Sequence, residues 1–286
     1  MTKEGSNTKD DANTTGARAV ALRPGNQTAF AAPLFEPFEF AVANKFAAFE
    51  FFPDRGPSGN GGWDERELDS QTRRYIRDTA QRHGIRLTVH ASLEFNPLHD
   101  PESDRLYSSV EFASDIGATL LNIHLDASQG VERFAGAIGP TLLATAETGL
   151  QLALENTVHS RPEDFNSLFG LLASDQGHPV SHAGMCFDLG HANACAATQN
   201  DYWKFLDQLS AGVPIIHLHL HENFGDRDSH LTLFTGPSAS DDAGLRGFLS
   251  RLRQRGFDGC GIFEQWPQPP SLLTDARDRL MKMIHA

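Results

Sequence analysis

The amino-acid sequence predicts an α/β protein, a single (β/α)8 barrel over residues 17–286 behind a disordered tail over residues 1–16. Three observations carry this. Short apolar runs alternate eight times with amphipathic segments and no hairpin signal intervenes, so the strands should run parallel. A length of 286 residues suits eight such units, because this architecture typically takes ~250 residues. Six consecutive strands, the third to the eighth, end in His, Asp or Glu, and strand C-termini are where a barrel gathers its chemistry. An open doubly wound sheet is the alternative; it usually has fewer strands, and no G-x-G-x-x-G follows the first strand.

The tail, from Met1 to about Gly16, is rich in Thr, Asn, Asp and Lys, with neither a signal-peptide core nor enough apolar surface to fold. Ala17–Leu22 is a weak first strand. Phe35–Ala43 reads as a short helix and Phe46–Phe51 as the second strand, stopped by Pro53 and followed by a Gly/Pro-rich loop, Gly56–Gly62. Leu68, Thr72, Tyr75, Ile76 and Thr79 recur at helical spacing, and Gly84 closes that helix before the third strand, Ile85–His90. Ser103 can cap a helix with Leu106, Val110 and Ala113 on its inner face; Gly117 ends it ahead of the fourth strand, Thr119–His124. Phe134, Ile138 and Leu142 mark the next helix, with a kink expected at Pro140. Gly149 precedes the fifth strand, Leu150–Glu155. Ser160 and Pro162 open a helix through Phe165, Leu168 and Leu172, and Ala183–Asp188 is the sixth strand. Asn200 is placed as the cap of Tyr202–Leu209, and Pro214–His221 is the seventh strand. Leu245, Leu249 and Leu252 mark a helix closed by Gly256, Cys260–Glu264 is the eighth strand, and Ser271–Ile284 the last helix.

Composition narrows the function. A formal net charge of -13 disfavours an unaided grip on a phosphate backbone, so a nucleic-acid partner is not expected. Cys186, Cys195 and Cys260 are too widely spaced for a disulfide framework or a CxxC site and read as thiols of a reducing compartment. No run approaches the ~18 apolar residues of a membrane helix. A cytoplasmic protein is expected, and a homo-oligomer stays open.

The seventh strand concentrates the chemistry. In Ile215-Ile216-His217-Leu218-His219-Leu220-His221, period-two alternation puts the three histidines on one face and Ile216, Leu218 and Leu220 on the other. Other strand ends are also polar: His90 on the third, His124 on the fourth, Glu155 on the fifth, Asp188 and then His191 on the sixth, and Glu264 on the eighth. A lone histidine at a strand end is ordinarily a hydrogen-bonded structural residue. Six ionisable strand ends in register form a ring whose carboxylates would repel one another without a cation. Mixed His and carboxylate ligands suit Zn²⁺ or Mn²⁺, with Fe²⁺ a third candidate.

The order H-A-S, N-I-H, L-E-N-T, F-D-L-G-H-A-N, H-L-H-E-N-x-G-x-x-D-x-H and F-E-Q resembles the xylose-isomerase-like TIM-barrel superfamily from about the second strand to the end. That superfamily holds sugar-phosphate isomerases and epimerases and zinc-dependent apurinic-site endonucleases of the endonuclease IV type. The resemblance implies an epimerase-type metal site of Glu155, Asp188, His219 and Glu264. The endonuclease type would add His90, His124, His191, Asp228 and His230, for one to three metals per chain. Glu155 would bridge two metals, and His191, Asp228 and His230 would hold the third. The family often follows D-x-H with P-L-G-E-G; here Thr232-Leu233-Phe234-Thr235-Gly236 lacks the acidic residue.

His217, two residues deeper than His219, is expected to be structural, and His221, at the exit, is a candidate substrate contact. Asn156 and Asn193 are expected to brace ligands or fix loops, with Asn156 and Glu50 also candidate substrate contacts. For Glu50 a surface position is equally open. Trp63 and Trp266 read as packing. The expected function is isomerisation or epimerisation of a small sugar, sugar phosphate or keto-sugar. Glu155 and Glu264 would remove and return a proton through a metal-stabilised enediolate. The alternative is a multinuclear zinc phosphodiesterase, an apurinic-site endonuclease-like hydrolase. A non-catalytic metal-holding barrel ranks last.

Overall fold

The computed structural model describes residues 20–55, 61–174 and 177–286. The expected tail lies outside these residues, as does the 56–60 part of the Gly/Pro-rich loop. Eight parallel strands close into one barrel in chain order: β1 (Ala21–Gln27), β2 (Ala48–Phe51), β3 (Arg86–His90), β4 (Leu120–His124), β5 (Gln151–Glu155), β6 (Ala183–Asp188), β7 (Ile215–Leu220) and β8 (Asp258–Phe263). Closure is made by β1 against β8, from Ala21 opposite Asp258 to Asn26 opposite Phe263.

Each strand turns an apolar face outward and a partly polar face inward. Phe49, Phe51, Leu87, Val89, Leu121, Ile123, Leu152, Leu154, Phe187 and Leu218 belong to one buried shell together with the helices. The helices that complete it include α1 (Glu36–Ala43), α2 (Ser70–His83), α3 (Asp104–Ile116), α4 (Val131–Ala137), α5 (Gly139–Thr148), α6 (Pro162–Ser174), α9 (Ala243–Gln254) and α10 (Ser271–His285). Two short helices, α7 (Leu189–Ala194) and α8 (Lys204–Gln208), follow β6. Several inward-facing low positions are small (Ala48, Ala153, Cys186 and Cys260, all buried), beside the larger Leu120 and Ile262. They leave room inside the barrel for the polar groups described below. Ser103 caps α3 through the Leu106 N–H, and α2 and α3 end on Gly84 and Gly117 in the left-handed region, φ 67 and 72, where a side chain would clash with its own carbonyl.

Four expectations are corrected. Among the described residues the first strand is Ala21–Gln27, running past the expected end at Leu22 because Pro24 and Gly25 disguise its later part; positions 17–19 of the expected Ala17–Leu22 lie outside the described residues. A Cβ at Gly25 would stand 2.5 Å from the Ala48 carbonyl oxygen and 2.8 Å from Ile262 Cδ1, so only glycine lets β1 approach so closely. Asn200 does not cap a helix: it has φ 58, and Asp201 Oδ1 accepts from the Trp203 and Lys204 N–H groups instead. Pro140 does not kink one helix but sits in the first turn of α5, where its missing N–H costs nothing. Finally, β7 does not alternate from its start. Its register against β6 slips between Met185 and Cys186, and Ile216 turns inward against Leu120, Ala153 and Cys186. Leu218 and Leu220 keep to the outer face, and the three histidines are buried.

Cys186, Cys195 and Cys260 are buried free thiols. Among the described residues, no helix is long and apolar enough to cross a membrane.

Candidate metal centre

The nine residues expected as ligands, from strand ends, α7 and the loop after β7, converge at the C-terminal mouth of the barrel in three touching groups. The inner group is Glu155, Asp188, His219 and Glu264, from β5, β6, β7 and the residue after β8. His219 Nδ1 lies 3.1 Å from Glu155 Oε2, 3.0 Å from Glu264 Oε1 and 3.8 Å from Asp188 Oδ2. The second group shares Glu155: His90 Nε2 is 3.3 Å from Oε2 and His124 Nε2 3.5 Å from Oε1. The outer group gathers His191, His221, Asp228 and His230. In it, His191 Nε2 and His230 Nε2 stand 3.1 and 2.9 Å from Asp228 Oδ2.

The tautomers follow from what lies behind each ring. His90 Nδ1 contacts the Ala91 carbonyl at 2.7 Å, His191 Nδ1 the Asn156 carbonyl at 2.8 Å, and His219 Nε2 the Glu50 carboxylate at 2.9 Å. Those acceptors require an N–H, so in the neutral ring the other nitrogen carries a lone pair. That lone pair faces carboxylate oxygens at 3.0–3.3 Å. Lone pair against carboxylate is repulsive unless the ring takes a second proton or a cation sits between them. His219 Nδ1, Glu155 Oε1 and Glu264 Oε2 are buried with no hydrogen-bond partner. A tetrahedral ion with ~2.0 Å bonds sets its ligands roughly 3.3 Å apart, so the spacings and the donor set fit a divalent cation.

Charge pairing makes the same point. Burial by itself would raise the pKa of each carboxyl and lower that of each imidazole. It is outweighed here: Glu155, facing His219 and His124, and Glu264, facing His219 and His230, are held well below the ordinary carboxylate range. His191, beside Asp188 and Asp228, and His219, among Cys186, Glu155 and Glu264, are held well above the ordinary imidazole range.

Three expected substrate contacts are placed differently. Glu50 is fully buried inside the barrel, where its oxygens accept from His217, His219 and Thr88. Asn156 spends both ends of its amide on the Asp188 backbone, at 2.9 and 2.8 Å, and so fixes β5 to β6. His221 is not at the rim: it is buried with Nε2 3.0 Å from Asp188 Oδ1, and its ring stacks on His230 at 4.0 Å. It belongs with the outer group, and its i, i+2 spacing from His219 was the available signal. His217 is buried under His219, as expected of a structural position. Asn193 donates to Asn223 Oδ1 and fixes a loop. The departing segment after His230 is held from below, because Glu222 accepts from the N–H groups of Phe234, Gly236 and Ser238.

Gly190, in the first turn of α7, makes room for His221: a Cβ there would lie 2.0 Å from its Cε1. Gly190→Ala is expected to displace the imidazole and cost about 1–3 kcal/mol through overpacking. A urea midpoint equal to wild type would refute it.

Two cavities open over the groups. One of about 490 Å³ is lined by Glu155, His191, Asp228, His230 and Glu264 with an apolar wall of Phe30, Phe52 and Trp266. The other, about 510 Å³, shares His90, Leu93 and His124 with it and extends over Asn96, Asp126, His159 and Arg161. Sequence reasoning missed Phe30, Phe52 and Gln27 in the first wall, Gln27 because the first strand was misplaced. Trp63 is packed in the core as expected, whereas Trp266 also lines the cavity.

The closed eight-stranded parallel barrel, with histidines and acids gathered at its mouth in candidate metal-binding groups, defines the class as a (β/α)8 barrel. Within it, this chain belongs to the xylose isomerase-like TIM barrel family, whose model matches residues 38–283. An uncharacterized protein of Methanocaldococcus jannaschii is 23% identical over 209 residues, 67% of this chain and 68% of the relative. A solved D-tagatose 3-epimerase-like protein superposes with a TM-score of 0.68 at 19% identity, over 92% of this chain and 97% of the other. Endonuclease IV from Thermus thermophilus superposes with a TM-score of 0.61 at 20% identity, over 92% and 99%. At these identities the structural likeness is one of fold.

Proposed function

We propose that this protein is a metal-dependent isomerase or epimerase acting on a small sugar, sugar phosphate or keto-sugar. The observation that carries this reading is the chemistry of the space over the ligand groups. Among the described residues lining the two cavities, Arg161 is the one arginine or lysine, and the chain's net charge is -13. Such a surface offers little to a phosphate backbone, whereas a concave pocket of about 490 Å³ with one apolar wall suits a small molecule.

Glu155, Asp188, His219 and Glu264 would hold the central cation, Zn²⁺ or Mn²⁺, with Fe²⁺ as a further candidate. When bound, it supplies positive charge that polarises a substrate carbonyl and stabilises charge developing on its oxygen. Glu155 and Glu264 serve as the proton-transfer pair. Glu155 is buried, Glu264 is partly buried with its Oε2 enclosed, and neighbouring imidazoles hold both ionised, so either can accept the proton from the carbon bearing the hydroxyl. The carboxyl so protonated returns that proton to the neighbouring carbon in an isomerisation, whereas epimerisation requires the opposite glutamate to enter the cycle protonated. Phe30, Phe52 and Trp266 keep water from that carbon.

The second reading, a multinuclear zinc phosphodiesterase or apurinic-site endonuclease-like hydrolase, is favoured by the two additional groups, His90–His124–Glu155 and His191–His221–Asp228–His230. One experiment separates the readings. Purified protein, with metal per chain measured by elemental analysis, is incubated with a panel of sugars and ketoses in deuterium oxide and, separately, with apurinic-site DNA. Metal-dependent uptake of deuterium α to a carbonyl is expected, with one tightly held ion per chain. Nicking of the DNA without proton exchange on any sugar would overturn the proposal in favour of the hydrolase.

A further inference from the structure

Beneath the ligand groups lies a polar assembly that the proposed chemistry does not use. Glu50, on β2, reaches across the barrel interior to β7. Its Oε1 accepts from His219 Nε2 and its Oε2 from His217 Nε2, each at 2.9 Å. Thr88, on β3, donates to the same Oε2 at 2.9 Å. Glu50, His217 and His219 have no exposed surface, and Thr88 is 1% exposed.

Such an assembly is a poor way to stabilise a barrel. Burying a carboxylate between two imidazoles removes all three from water, and well-packed apolar residues of similar volume serve stability as well or better. What it achieves is local. Glu50 claims the Nε2–H of His219, which commits the lone pair to Nδ1, and Nδ1 is the atom that faces Glu155, Glu264 and Asp188. A metal-ligating histidine depends on such a partner for tautomer, ring orientation and donor strength. Among the described residues Oε1 has a single partner, His219, whereas His217 and Thr88 pin Oε2, so these two fix the direction in which Oε1 points.

We propose that Glu50 is a positioning residue for the central cation, acting through His219, and that His217 is the brace that orients Glu50. This rests on the reading of Glu155, Asp188, His219 and Glu264 as ligands. It gives Glu50 and His217 roles that neither substrate contact nor plain packing supplies. The substitutions follow from hydrogen-bond chemistry. Glu50→Gln keeps an acceptor for His219 but removes the negative charge that strengthens its donor nitrogen. His217→Gln keeps a side-chain N–H for Oε2, whereas His217→Leu keeps the bulk and loses the donor.

The test uses the full chain, stripped of metal and titrated with Zn²⁺ against a chromophoric chelator, and separately with Co²⁺ read by its visible absorption. Wild type is expected to bind, with Glu50→Gln about 10–100-fold weaker, the range seen when such partners are lost, and with a shifted Co²⁺ band. His217→Gln is expected to bind like wild type and His217→Leu to be weakened about as much as Glu50→Gln. Zn²⁺ affinity and Co²⁺ spectrum unchanged in a folded Glu50→Gln protein would overturn the relay while leaving the ligand assignment standing. Should Glu50→Gln not fold, equal affinities for His217→Gln and His217→Leu overturn it. A wild-type chain that binds neither ion overturns both the relay and the metal reading.

Discussion

Glu155→Gln is expected to lower proton exchange by at least about 10²-fold, the lower end of what a positioned general base contributes, and to weaken the hold on the central ion. Glu155 is the only carboxylate shared by the inner and second groups, and it contacts His90, His124, His191 and His219. Asn122, also buried, donates to its Oε2. An amide of the same size offers one acceptor, and its N–H₂ must point at imidazole lone pairs or at Asn122. Both neighbouring sites therefore lose a ligand and gain a misdirected donor. Glu264→Gln is the comparison: it belongs to the inner group alone, so exchange should fall comparably while the His90–His124–Glu155 group keeps all of its donors. Elemental analysis of the two variants beside deuterium incorporation checks this. A Glu155→Gln protein with wild-type metal content and exchange would remove Glu155 from both roles.

The second large effect is on the pH dependence of stability. Burial, the largest single influence on His230, pulls its pKa down, but the hydrogen bond to Asp228 and the charges of Glu264 and Asp188 outweigh it and raise the pKa to about 9. His191 and His219 are raised in the same sense. A histidine whose folded pKa exceeds its unfolded value of about 6.5 contributes stability that is fully present below that value and disappears as pH rises through the folded pKa. Metal-stripped protein should therefore melt at a lower temperature at pH 9 than at pH 6.5. Metal-loaded protein should behave oppositely over this window, because a divalent ion replaces those protons and binds more tightly as they leave. An ion at 100 times its Kd adds about 2.7 kcal/mol, which at roughly 2–4 °C per kcal/mol corresponds to a gap of roughly 5–10 °C. The gap should widen from pH 6.5 to pH 9. Melting curves of stripped and loaded protein that stay parallel across that window would contradict the charge arrangement described for the site.

Much of this architecture was legible in the chain alone. Alternating apolar runs and helical spacings suffice to count strands, and the residue at each strand end can be read directly, so His90, His124, Glu155, Asp188, His219 and Glu264 were recognisable as a set. Elements failed where backbone exceptions hide a pattern. Pro24 and Gly25 masked the first strand, because glycine there answers to the crowding of Ala48 and Ile262 from two other strands. The bulge at Ile216 was equally hidden, since a register slip involves β6 as much as β7.

The sequence by itself determined which side chains share a strand face and their order along it, because a period of two is local covalent geometry. That was enough for the ring of ligand-type residues and for the family the chain belongs to. Only the tertiary structure decided what lies across the barrel. Glu50 and His219 are 169 positions apart on strands that do not pair, yet closure sets them 2.9 Å from each other. His221, spaced like its two neighbours, was assigned to the outer group by Asp228 and His230, which arrive on a loop. Distances across a closed sheet depend on strand tilt and stagger, properties of all eight strands together, and no spacing within one strand contains them.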